Sequence, residues 1–321
     1  MRLRQIPDDT NIDFFKHAKL TFGASMVAVL LALVVWFTMG LNYGIDFRGG
    51  TTLRTQSDAP VDVAAYRTAL APLQLGDISI SEVYDPASNS KKHVAMVRIQ
   101  AQEGEEAATP EMISQVEGAL KTVAPNIVFT SVESVGPKVS GELIQTAFLA
   151  VAASLGAILI YIWLRFEWQF SLGAVAALFH DVILTIGIFS VLQIRFDLPV
   201  IAAILTIIGY SINDTVVIFD RLRENLRKYK KRDLREIMNL SVNETLSRTL
   251  MTSGTTLLAL LALLFLGGDV IRGFVFAITW GVIVGTYSSV YVAKNIVLFL
   301  GVKRDWSKKD NNTGQYANID A

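Results

Sequence analysis

The sequence predicts a polytopic α-helical membrane protein with six transmembrane helices and a ferredoxin-like α+β domain between the first and second. Three observations lead there. Of 321 residues, 52% are hydrophobic and only 18% charged, against about 25% charged in an ordinary soluble domain. Six stretches are almost free of charge: 20–41, 141–164, 169–192, 199–219, 249–267 and 273–293. Each has the length that crosses a hydrocarbon core of roughly 30 Å at 1.5 Å rise per residue. Between the first two stretches lies a segment, 42–139, of ordinary globular texture.

The first stretch reads as a retained anchor. Its apolar run from Leu20 to Leu41 exceeds a signal-peptide core, and no small-residue cleavage site follows in Asn42-Tyr43-Gly44-Ile45-Asp46. The domain behind it alternates in a recognisable order. Gly50 to Gln56 reads as a strand and Val61 to Leu73 as a helix, with Val63, Tyr66, Leu70 and Leu73 at helical spacing. Strands around Ile78–Val83 and Val94–Ile99 follow, separated by a turn-rich run from Asp85 to Ser90. Thr109 caps a helix with Pro110 at its first position, and Ile127 to Val132 closes as a strand. The order β-α-β-β-α-β is the split ferredoxin-like motif. His93, beside Lys91 and Lys92, reads as a solvated strand-edge histidine.

Charge sets the orientation. With the N-terminus inside, the inner segments hold 18 Lys and Arg, while the two short outer loops hold only Arg195 and Arg272. The positive-inside rule then gives 1–19 as a cytoplasmic N-terminus, 20–41 as the first span, 42–139 as an exported domain, 140–300 as a five-helix bundle, and 301–321 as a cytoplasmic tail. A charged amphipathic segment at 220–248 is expected to dock on headgroups or a partner from the cytoplasmic side. Trp163 and Trp168 flank a short inner turn as headgroup-level anchors or packing residues.

Several chemistries are excluded. Cysteine is absent, which removes disulfides, thiolate metal sites and thiol nucleophiles. Three histidines are too few for a His-based metal site. Net charge is zero, which argues against nucleic acid as a partner. No phosphate-binding G-x-x-x-x-G-K-[ST] occurs, and no cofactor is expected.

The informative residues are polar groups inside the spans, where each charge costs about 2.5–3.5 kcal/mol at the bilayer centre. Asp214 lies in the fourth span with Tyr210 and Ser211 on its helical face, and with Asn213 and Thr215 beside it. The opposite face carries Ile208, Ile212 and Val216. Asp214 is either a helix-packing hydrogen-bond partner or a proton- or ion-binding carboxylate. Asp181 lies mid-way along the third span beside His180. Neighbouring side chains diverge by about 100°, so the two cannot face one partner squarely, and Asp181 is open between a structural and a functional role. Arg248 opens the fifth span and is placed to pair with Asp214 or to snorkel. Lys294, at the inner end of the sixth span, reads as snorkelling. Gly156, Gly173, Gly281 and Gly285 offer close helix contacts.

Three motifs then coincide: Asn42-Tyr43-Gly44-Ile45-Asp46-Phe47-Arg48-Gly49-Gly50-Thr51 after the first span, Ala177-Leu178-Phe179-His180-Asp181 in the third, and Gly209-Tyr210-Ser211-Ile212-Asn213-Asp214-Thr215-Val216-Val217-Ile218-Phe219-Asp220-Arg221 closing the fourth. With Asn243-Glu244-Thr245-Leu246-Ser247-Arg248-Thr249, they make the chain resemble, from about residue 12 to 303, the SecF branch of the SecD/SecF family in the resistance-nodulation-division superfamily. That resemblance implies a non-enzymatic subunit of the bacterial inner membrane with a periplasmic domain. It implies an obligate SecD partner, the SecYEG channel with SecA, YajC and YidC as further candidates, and unfolded preprotein as cargo. It also implies that Asp214, Arg248 and Asp181 couple proton passage to late steps of export, with Tyr210, Ser211, Asn213, Thr215 and His180 in support, and that Asp46, Arg48, Gly49 and Gly50 form a family motif. Two other readings stay open from the residues: a small-molecule half-transporter, and an assembly subunit whose buried acids only hold helices together.

Overall fold

The computed structural model describes residues 10–83, 92–101 and 109–302. The turn expected at 85–90, the charges at 2–4 and those of the tail beyond residue 302 lie outside the described residues. Helix α1 (Ala18–Met39) leads through β1 (Asn42–Tyr43) and a single turn, α2 (Ile45–Arg48), into the sheet domain. That domain runs β2 (Gly50–Ser57), α3 (Val63–Leu70), β3 (Ile78–Val83), β4 (His93–Gln100), α4 (Pro110–Lys121) and β5 (Val128–Val135). The bundle follows: α5 (Pro137–Arg165), α6 (Trp168–Leu192), β6 (Arg195–Phe196), α7 (Leu198–Lys228), α8 (Leu234–Leu266), α9 (Asp269–Ser288), a π-helical turn (Ser289–Ala293) and α10 (Lys294–Leu300). Six helical spans are long and apolar enough to cross a membrane, the last continuous from α9 into α10.

The sheet has strand order β3-β4-β2-β5 with every neighbouring pair antiparallel, the arrangement expected of a split β-α-β unit. Leu53, Tyr66, Leu70, Val97, Val116 and Leu120 are buried together between the sheet and α3 and α4. Thr109 Oγ1 accepts from Met112 N and caps α4 as predicted, and Asp62 caps α3 by accepting from the Ala64 and Ala65 amides. The first helix is shorter than expected, ending at Leu70 with a 3-10 turn over Ala71–Leu73, where Pro72 denies an amide to a longer helix. His93 lies on an inner strand rather than an edge, and its Nδ1 is 3.0 Å from Glu82 Oε1.

Helices α6, α7 and α9 carry the bundle interior, whereas α1, α5 and the apolar half of α8 bury little. Two apolar clusters fill that interior. One gathers Phe14, Phe170, Phe219, Leu222, Ile237 and Val297 at one end; the other gathers Phe189, Phe196, Ile204, Ile208, Val275 and Val282 at the opposite end. Ile208, expected to face away from the bundle, is therefore core. Some glycines are needed for close approach. A Cβ on Gly173 would sit 2.9 Å from the Ala293 carbonyl oxygen, and one on Gly281 would strike Ile207. Gly156 has nothing within 4 Å of its Cβ position, so the small-residue spacing there packs nothing within the chain.

The segment at 220–248 is not a separate surface helix. It is the continuation of α7 to Lys228, a five-residue turn, and the first turns of α8. Leu222 and Leu226 on α7 meet Ile237, Met238 and Val242 on α8, all buried. Two amphipathic helix ends that follow one another antiparallel cover each other's apolar stripes more completely than a headgroup layer could.

Candidate functional site

Between the two apolar clusters lies a layer of polar side chains from α6, α7, α8 and α9. Its most fully bonded member is Asp181, 1% exposed. Ser211 Oγ on α7 donates to its Oδ2 at 2.6 Å, and Ser288 Oγ on α9 donates to the same oxygen at 2.8 Å. His180 Nδ1 lies 2.9 Å from Oδ1. Although the two neighbours diverge along the helix, the imidazole swings back onto the carboxylate, and its ring stacks on Tyr287 with centroids 6.2 Å apart. Tyr287 in turn donates to the Thr21 carbonyl and shares a 3.0 Å bond with Ser25 of α1. Four elements thus meet through one carboxylate and its histidine. His180 Nε2 has no protein partner among the described residues.

Asp214 is built differently. It is buried on α7, one turn beyond Ser211, yet its Oδ2 has no hydrogen-bond partner among the described residues. Thr215 Oγ1 and Thr249 Oγ1 share that condition. The antiparallel register of α7 and α8 is set by Tyr210–Thr256 and Asn225–Ser241 hydrogen bonds, so Asp214 stands level with residues 252–253. Ser253 lies beside it, its hydroxyl 2.7 Å from Thr286 on α9. Arg248 is one turn nearer the start of α8 and exposed. Its charge bears on Asp214, but no ion pair joins the two among the described residues, so of the two roles left open for Arg248 the direct pair is not formed here. Arg248 instead lines a cleft of about 720 Å³ between α7 and α8 with Asp220, Arg221, Glu224 and Glu244. Arg221 pairs with Glu224 at 2.6 Å and Glu244 at 2.7 Å, and Asp220 with Arg165 at 2.8 Å.

The remaining expected site residues divide between interior and surface. Ser211 and Thr215 are interior, Tyr210 is half-buried, and Asn213 is exposed on α7 beside Thr206 and Gly209. No hydrogen bond joins the two acids among the described residues: Ser211 serves Asp181, and Ser253 neighbours Asp214. In chemical terms, a carboxyl group bonded by two hydroxyls and an imidazole is held in one place. One with an oxygen free of protein bonds can take or lose a proton without breaking any.

The motif after α1 is a joint. Gly49 (φ +74°) and Gly50 (φ +134°) turn the chain from α2 into β2, and a Cβ on Gly50 would overlap the Ile99 carbonyl oxygen. Asp46 Oδ2 accepts from Leu198 N at 3.0 Å, capping α7 from 152 residues away, because the residue at the cap position, Asp197, makes no such bond. Asp197 pairs with Arg195 at 3.0 Å. Burial raises its carboxyl above the ordinary range, with Arg195 pulling the other way and Asp46 adding to the rise. Burial, reinforced by the like charge of Arg195, lowers the nearby Arg98 guanidinium to about 10. The parallel β1–β6 pairing, Asn42 to Arg195 and Tyr43 to Phe196, completes the joint. Arg48 lies 5.9 Å from the Tyr43 ring centroid. Nothing local in the sequence signals this contact between segments 150 residues apart.

Lys294 does not snorkel. It is 1% exposed; its Nζ donates to the Phe14 carbonyl at 3.2 Å and lies 4.0 Å from the Phe15 ring centroid. The strap at 10–15 that covers it is held by α8. Asn243 Oδ1 accepts from Ile12 N and its Nδ2 donates to Ile12 O, both at 2.9 Å, while Asn239 Oδ1 accepts from Phe14 N at 2.9 Å.

Comparison with known proteins agrees with this architecture. Residues 115–303 match the model of the protein export membrane protein SecD/SecF C-terminal region, and residues 34–61 match the SecD/SecF GG motif. The protein translocase subunit SecF of Cereibacter sphaeroides is 67% identical over 100% of this chain and 99% of its own length. Those of Rhodobacter capsulatus and Vibrio alginolyticus are 59% and 41% identical, covering 99% and 92% of this chain and 97% and 92% of their own lengths. A crystal structure of SecDF, a translocon-associated membrane protein from Thermus thermophilus, superposes with a TM-score of 0.81 at 37% identity; it covers 92% of this chain, which spans 39% of that longer one. Six apolar spans, a split ferredoxin-like domain after the first, and relatives of this closeness and coverage lead to one conclusion: the chain belongs to the SecF branch of the SecD/SecF family of protein-export membrane proteins.

Proposed function

We propose that this multi-pass subunit of the Sec protein-export system couples proton movement to the export cycle, with Asp214 as the proton carrier. The observation that supports it is a buried carboxylate whose Oδ2 lacks a protein partner, next to the end of a charged cleft that Arg248 lines. A proton arriving along the cleft neutralises Asp214 and releases the pull of Arg248 on it. One charge moved across the membrane potential supplies about 2.3 kcal/mol per 100 mV, enough to shift a two-state helix arrangement appreciably. Asp181 is assigned the complementary role: a bonded anchor that keeps α6, α7 and α9 in register while α8 responds. The joint at Asp46 and Leu198 passes a movement of α7 to the sheet domain.

The chain spans 39% of the longer SecDF chain, and in this reading the working unit includes a SecD subunit. In this reading both termini lie in the cytoplasm and the sheet domain in the periplasm, where unfolded preprotein emerges from SecYEG driven by SecA; YajC and YidC complete the assembly in the inner membrane. Proton flux into liposomes holding this chain with its SecD partner tests the coupling. Asp214→Asn should abolish the flux and the proton-dependent part of export while leaving SecD association intact. Unchanged flux and export in that variant would make the buried acids helix-packing groups only.

A further inference from the structure

We propose that the groove between the strap, the start of α1 and α10 is a binding site for an anionic phospholipid. The groove has a volume of about 830 Å³, and its lining combines the basic Lys16, Lys19 and Arg235 with the apolar Leu20, Leu298 and Phe299. Leu20 and Phe299 are 71% and 89% exposed, at the ends of two helices long and apolar enough to span a membrane. Charge therefore sits at the mouth and apolar surface continues down the helices, the order in which a phospholipid presents its headgroup and chains.

The sign of the headgroup follows from the lining. No carboxylate lines this groove among the described residues, whereas the cleft at Arg248 and the one beside Asn239 mix acids with bases. Lys16 and Lys19 are exposed. The Arg235 guanidinium lies 4.0 Å from Asp13 and 5.5 Å from the Phe15 ring centroid. A zwitterionic headgroup would bring a cation of its own into this mouth; an anionic one would not.

The site is also built in advance. The strap that forms one wall is fixed by the Asn239 and Asn243 amides and by Lys294 beneath Phe14 and Phe15. Little ordering remains to oppose binding. Basic pockets between membrane helices take phosphate-bearing headgroups by this combination of charge and apolar wall.

A photo-crosslinking amino acid at position 299, in the full chain purified with its SecD partner and placed in vesicles of equal phosphatidylglycerol and phosphatidylcholine with matched chains, identifies the occupant by mass. Position 258 on α8, 71% exposed in the wild type and remote from the basic cluster in sequence, reports bulk lipid. Phosphatidylglycerol should be captured at 299 at least fivefold in excess of the ratio at 258. Lys16→Gln with Lys19→Gln should bring that excess down several-fold, by at most about fivefold per charge removed. Equal ratios at the two positions would overturn the proposal, as would an excess undiminished by the double substitution. Capture of polypeptide in place of lipid at 299, whether the SecD chain or this chain's own ends, would overturn it too.

Discussion

Removing the two serines that bond Asp181 tests whether this carboxylate is the anchor of the polar layer. Ser211→Ala and Ser288→Ala each delete a hydroxyl from the same oxygen, at 2.6 and 2.8 Å, and Asp181 keeps only His180. A hydrogen bond to a charged group contributes about 1.5–3 kcal/mol. Each single substitution is therefore expected to cost about 1.5–2 kcal/mol, since the other hydroxyl still serves the oxygen. The double substitution leaves a buried charge half-bonded and should cost about 4–6 kcal/mol, more than the two singles together. Asp181→Asn should be milder than the double, at about 1–2 kcal/mol. The substituted amide still presents a carbonyl to both hydroxyls, no charge needs compensation, and His180 can change tautomer to accept from the new N–H. Chemical unfolding of the purified chain with its partner, followed by tryptophan fluorescence, ranks the four proteins. Asp181→Asn costing more than the double serine variant would refute the anchor argument, as would single costs below about 0.5 kcal/mol.

Gly173→Ala places a methyl 2.7 Å from Val297 and 2.9 Å from a backbone oxygen, so it should destabilise the α6–α10 contact by about 1–3 kcal/mol; Gly156→Ala, with open space around it, should be neutral within about 0.5 kcal/mol, and thermal melts of the two variants decide. Asn243→Ala removes two 2.9 Å bonds to Ile12 and should cost about 1–3 kcal/mol, read as faster protease cleavage near residues 10–15; an unaltered cleavage rate counts against the strap's being held from α8. Because the folded state raises the Asp197 carboxyl above its ordinary value, near 3.9, the folded chain binds that proton more tightly than the unfolded chain. This group therefore opposes folding progressively as pH rises from about 4 through the raised value, and by a constant amount above it. The stability difference between wild type and Asp197→Asn should shift against wild type over that window, and a shift in wild type's favour would contradict the sign.

Much of this molecule is written in local pattern. Long apolar runs specify membrane-length helices because every backbone group must be satisfied within the segment in lipid. Alternating β and α periodicities specify the sheet domain, and Thr109-Pro110 marks a helix start. The polar residues worth attention, Asp181, Asp214 and Arg248, stand out because their kind is costly where they lie. Their roles were not legible in the same way. Whether an acid is bonded or left with an open oxygen depends on hydroxyls from other helices: Ser288 lies 107 residues from Asp181, and no spacing rule connects them. Lys294 reads as a surface cation until the strap at 10–15 is laid over it. The 220–248 stripe reads as a helix docking on headgroups or a partner until its two halves fold against each other, and nothing near Asp46 in sequence shows that it caps a helix starting at Leu198. Helix identity and membrane residence follow from the sequence alone because they arise from neighbours along the chain. The bonding state of each buried charge is decided only when α6, α7, α8 and α9 pack, because desolvation and hydrogen-bond supply are properties of the assembled interior.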